Sequence, residues 1–89
     1  LFDWDDENRG HVRAAGFDPD EIEQALLDPR RVGANAYNAG RERRWAALAS
    51  TEGGRVLFVL FTRRRTSVRV ITARDATAAE KRRYRAQGK

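Results

Sequence analysis

Eighty-nine residues, 35% of them charged and 40% hydrophobic, with no cysteine, make one domain whose core must hold without disulfides or thiolate-bound metal. A single histidine argues against a multi-histidine metal centre, so no cofactor is expected. No apolar run approaches the roughly 20 residues that cross a bilayer. No signal peptide is visible and a cytoplasmic location is expected; the chain opens at Leu1 without methionine, which fits a trimmed start.

The net charge of +5 conceals an asymmetry. Residues 1–28 carry nine acids against two arginines, a balance of −7, and residues 29–89 carry sixteen basic residues against four acids, a balance of +12. A polyanion is the natural partner of such a basic half, and a solvated arginine-rich surface is the plainer alternative.

In chain order, Leu1-Phe2-Asp3-Trp4 reads as a short edge strand that directs Phe2 and Trp4 into the core. Asp5, Asp6 and Glu7 suit the positive end of a helix dipole, and a helix from about Asp6 to Ala15 stops at Gly16. Asp18 caps the next helix, with Pro19 in its first position and Glu21 three residues after the cap. Phe17 and Ile22 have the spacing of a hydrophobic staple, and Asp28-Pro29 ends the helix. A short strand around Arg31–Ala36 and a loop through Asn38-Ala39-Gly40 follow.

Residues 43–74 then form a three-strand meander, punctuated by Thr51-Glu52-Gly53-Gly54 and by Arg63-Arg64-Arg65-Thr66. Val56–Phe61 is apolar at every position, as a central strand buried on both faces must be. Its neighbours alternate: Trp45, Ala47 and Ala49 share one face, and Val68, Val70 and Thr72 oppose Arg69, Ile71 and Ala73. Thr77 and Glu80 form a capping box for a last helix that has only Ala79 and Tyr84 to bury. The expected class is α+β: a small antiparallel sheet, the meander plus one or two short N-terminal strands, with two N-terminal helices and one C-terminal helix.

The chemistry in reach is that of arginine and phosphate. Arg63, Arg64, Arg65, Arg74, Arg82, Arg83 and Arg85 come from hairpin ends and the following helix and are expected to converge on one side of the sheet. Guanidinium groups grip phosphate bidentately and stabilise the charge that grows when a phosphodiester is attacked. Cleavage also needs a proton acceptor and a proton donor, for which His11, Tyr37, Glu42, Glu80, Lys81 and Tyr84 are available. Most of these have a plainer role too: Tyr84 as packing anchor, Glu80 as helix cap, Glu42 as partner of Arg43 or Arg44, His11 as an exposed helix residue. Gly53-Gly54 lies between strands and reads as a hairpin turn, not a nucleotide-binding loop.

An ordered set of segments resembles the BrnT toxins of bacterial type II toxin–antitoxin systems, relatives of the RelE-type ribonucleases. It comprises Phe2-Asp3-Trp4-Asp5, Asn8 to His11, Asp18-Pro19-Asp20-Glu21-Ile22 and Leu27-Asp28-Pro29. It continues with Gly40-Arg41-Glu42-Arg43, Gly54-Arg55-Val56-Leu57, Val59-Leu60-Phe61-Thr62, Val70-Ile71-Thr72-Ala73-Arg74 and Glu80-Lys81-Arg82-Arg83-Tyr84. The resemblance implies a RelE-like fold, metal-independent RNA cleavage that arrests translation, and a BrnA-like antitoxin whose ribbon-helix-helix domain binds operator DNA, in a hetero-oligomer. It also implies catalytic roles for Arg63, Arg74, Glu80 and Tyr84, with His11 as a further candidate. Arg43, Arg44, Arg64, Arg65, Lys81, Arg82, Arg83 and Arg85 would bind RNA. Family members often carry histidine just before the glycine that ends the first helix; here that residue is Ala15. The alternative is a catalytically inactive module on the same fold that binds nucleic acid or an antitoxin.

Overall fold

Two capping boxes set the first two helices. Asp5 accepts the Asn8 amide at 3.1 Å while the Asn8 side chain accepts the Asp5 amide at 2.8 Å, which opens α1 (Asp6–Ala14). Gly16, at φ 92°, turns the chain out of that helix in a conformation that costs glycine little. Asp18 and Glu21 cap α2 (Pro19–Leu26) in the same reciprocal way. Phe17 and Ile22 flank that cap at 3% and 0% exposure, as a staple requires.

The computed structural model describes residues 1–36 and 42–87. After the helices come β1 (Val32–Ala34), β2 (Trp45–Ser50), β3 (Val56–Arg64), β4 (Ser67–Asp75) and α3 (Ala78–Gln87). The loop expected through Asn38-Ala39-Gly40, and with it Tyr37, lies outside the described residues. The four strands form one antiparallel sheet in the order β1-β2-β3-β4, so β3 is interior, as its unbroken apolar run requires. The N-terminal segment adds a single parallel bridge, Phe2 to Val68, on the outer edge of β4 rather than a full strand. Arg69, whose side chain is 15% exposed, fastens that segment by ion pairs to Asp3, Asp5 and Glu7.

Helices α1 and α2 cover one face of the sheet. Val12, Ile22, Ala25 and Leu26 meet Ala47, Ala49, Leu57, Val59, Phe61, Val70 and Ala73 there, with Phe2, Trp4 and Trp45 packed against the cluster. Each fully buried aliphatic side chain contributes about 1.5–3 kcal/mol. The expected strict alternation along β4 fails at one point. Leu60 pairs with Thr72 and Phe61 with Val70, so Ile71 bulges out of the ladder. Val70 and Ala73 therefore both face the helices, while Thr72 joins Leu60 and Arg74 joins Phe58 on the other face.

Helix α3 packs against β2 and buries no residue of its own. Its N-terminus carries the expected box: Thr77 accepts the Glu80 amide at 3.1 Å and Glu80 accepts the Thr77 amide at 2.9 Å.

Candidate functional site: two arginine clusters

The sheet's pleat assigns the arginines to faces, and it divides them. On the helix-bearing face, Arg43 lies two residues before Trp45, and the Trp45–Phe61 pairing brings Arg63 to the same ring. Their guanidinium carbons stand 5.1 and 5.2 Å from the Trp45 ring centroid, within cation–π range. Among the described residues neither arginine has a carboxylate partner.

On the opposite face, the Arg74 guanidinium lies 4.3 Å over the Phe58 ring. Two of its nitrogens donate to the two Glu80 oxygens at 2.7 and 3.1 Å, and Nη1 also donates to the Asp75 carbonyl at 3.2 Å. The fork fixes the plane of a side chain that is still 50% exposed. The Arg74 guanidinium, aided by the Thr77 amide and hydroxyl, holds the Glu80 carboxyl down to about 2. A carboxylate so stabilised is a weak proton acceptor at neutral pH, and both of its oxygens are taken by Arg74.

Tyr84 is equally committed. Its hydroxyl donates to Asp28 Oδ2, which also accepts the Ser50 amide at 2.9 Å, while Asp28 Oδ1 accepts the Arg30 amide at 2.9 Å. Burial and the Asp28 carboxylate push the Tyr84 hydroxyl up, so it stays a hydrogen-bond donor. Burial pushes Asp28 up, but the bonds from Tyr84, Ser50 and Arg30 outweigh it and leave the carboxyl below its ordinary value.

The remaining candidates are spread out. Arg64 and Arg44 both face Glu42, at 3.6 and 3.8 Å. Arg65 occupies the hairpin tip at φ 51°. Arg83 donates to the Gly33 carbonyl at 2.8 Å, which closes off the edge strand β1. Lys81 is half-buried on α3, and Arg82 and Arg85 are exposed there. His11 is exposed on α1, whose buried residues Asn8 and Val12 face the sheet, so it stands on the other side from Arg74. The expectation that the arginines converge on one side is thus not met: Arg63 with Arg43, and Arg74 with Glu80, form separate clusters. What the sequence reading missed is Asp28 as the anchor of α3 and Trp45 as the platform for two arginines. The Arg43-x-Trp45 spacing was a local signal for half of that platform; Arg63 joins it only through the strand register.

Among the described residues no group of three or more histidine, cysteine or acidic side chains could hold a metal ion, and no helix is long and apolar enough to cross a membrane. A comparison with curated proteins returns no match. A family model described as "Ribonuclease toxin, BrnT, of type II toxin-antitoxin system" matches residues 4–80. That span runs from Trp4, packed on the core, through the whole sheet to Glu80, the partner of Arg74, and the chain belongs to the BrnT family of ribonuclease toxins.

Proposed function

We propose that the chain is a metal-independent endoribonuclease that inhibits translation, with Arg74 as the residue that stabilises the scissile phosphate. The observation that carries this is the Arg74 guanidinium, stacked on Phe58, held in plane by Glu80 and half exposed beside the start of α3. A cation fixed before the substrate arrives needs no reorganisation as charge develops on the phosphate. Lys81, Arg82 and Arg85 extend the same positive helix and would track the RNA backbone. On this reading Glu80 is a positioning residue and Tyr84 holds α3 in place. The family also supports an antitoxin partner; a BrnA-like ribbon-helix-helix antitoxin that neutralises the toxin, binds operator DNA and assembles with it into a hetero-oligomer in the cytoplasm belongs to the same proposal, as does the RelE-like relationship.

The test is cleavage of an end-labelled RNA in the presence of EDTA. Wild type is expected to give internal cuts, and Arg74→Ala to lose about 100-fold or more in rate, as removal of a pre-oriented transition-state donor does, with an unchanged circular dichroism spectrum. Full activity in Arg74→Ala would move the site elsewhere, and loss of cleavage in EDTA would remove metal independence. The second reading, a binding module without turnover, is favoured by the commitment of Glu80 to Arg74 and of Tyr84 to Asp28. RNA binding with no cut product would select it.

A further inference from the structure

A groove of about 550 Å³ opens on the helix-bearing face, between the end of α2, residues 29–33 and the N-terminal segment. Leu27, Val32, Trp45, Phe61 and Val68 form much of its lining, and its charged groups are Arg31 and Arg63, with no carboxylate. Leu27 is 68% exposed, an unusual place for a large aliphatic side chain with nothing to cover it. We propose that this groove seats a segment of a partner protein that alternates large apolar side chains with carboxylates.

Charge and shape select that occupant. Arg63, and Arg43 beside it across Trp45, lack carboxylate partners among the described residues, so the occupant must supply negative charge. A floor of leucine and valine rewards aliphatic or aromatic side chains. Nucleobases need open aromatic faces to stack on, whereas the Trp45 ring already carries two guanidiniums. Apolar anchors ringed by arginine–carboxylate pairs are the pattern of a protein interface, with Trp45 and Arg63 at its centre. The inference rests on the family reading only for the partner's identity, the antitoxin. The groove itself lies on the face opposite Arg74, so the two proposals can fail separately.

The experiment uses the complex with the cognate antitoxin. Leu27→Asp places a like charge against the incoming carboxylates at an exposed position that contributes little to folding. It is expected to weaken antitoxin binding by about 30-fold or more, the effect of losing an interface anchor, while RNA cleavage stays within twofold of wild type. In hydrogen exchange, the antitoxin is expected to protect residues 26–33 and 45–47 of the wild-type chain. Unchanged antitoxin affinity in Leu27→Asp, or protection confined to α3, overturns the proposal. So does protection of the groove by a single-stranded RNA, or a wild-type dimer that Leu27→Asp converts to monomer. None of those results touches the Arg74 test, and an inactive Arg74→Ala leaves the groove's test intact.

Discussion

Asn8 is 2% exposed and uses both ends of its amide. The nitrogen donates to the Asp3 and Val70 carbonyls at 2.9 and 3.1 Å, and the oxygen accepts the Asp5 amide at 2.8 Å. One side chain thus closes the first capping box, fixes the N-terminal segment and ties α1 to β4. Asn8→Asp keeps the shape but turns a carboxylate oxygen towards two carbonyls. Chemical denaturation at neutral pH should show a loss of about 3 kcal/mol, the order expected for an unpaired buried charge; stability equal to wild type would mean that the amide's donors are dispensable. Arg69 works beside it, and its hydrogen bond holds the Asp5 carboxyl below the ordinary range.

At the scale of elements, α3 is a helix with almost no apolar face, held by polar contacts from its start and middle. A ten-residue helix with so little to bury is not stable alone. Tyr84→Phe removes the hydroxyl that reaches Asp28, and should make the α3 amides exchange faster by about 1.5 kcal/mol or more of local stability. The global melting temperature should hardly change, because no residue of α3 is itself fully buried; a large drop would show that α3 belongs to the core unit. The start of the helix carries a pH signature. Glu80 titrates at about 2 in the folded chain against 4.5 ordinarily, so its stabilisation is complete above about 4.5 and is lost as the pH falls through about 2. Because Arg74 is half exposed, solvent screening leaves about 1 kcal/mol of it. The difference in thermal stability between wild type and Glu80→Gln should be present at pH 7, shrink below 4.5 and vanish near 2; a pH-independent difference would assign it to the helix cap alone. Of the three capping boxes, those of Asp18 with Glu21 and of Thr77 with Glu80 were legible from the sequence as local patterns. The bond from Tyr84 to Asp28 was not, since 56 residues separate them and nothing near either one marks the other.

Across the whole molecule, the ion pairs that join the acidic start to the basic remainder among the described residues are those of Arg69, and the others lie within the basic half. Arg69 takes up Asp3, Asp5 and Glu7, Arg55 takes Asp75, Arg74 takes Glu80, and Glu42 lies between Arg44 and Arg64. The cations left without carboxylates among the described residues include Arg43, Arg63 and Arg65 at one end and Arg82 and Arg85 on α3. Composition could reveal the excess of arginine but not this partition, which depends on faces. The meander, its central strand and the two-helix cover were readable from periodicity. The side on which Arg74 emerges was not, because it depends on a single irregularity in β4. Ile71 is a spare link: the residues before it and after it face the same ways that they would in an unbroken ladder one residue shorter. Deleting it should therefore yield a folded protein that keeps Ala73 inward and Arg74 outward, at the cost of one half-buried side chain. Amide spectra and RNA cleavage of the deletion would check this, and a collapsed fold would refute it. Length in this strand can thus drift by one without moving the chemistry, so long as the extra residue is tucked out of the ladder.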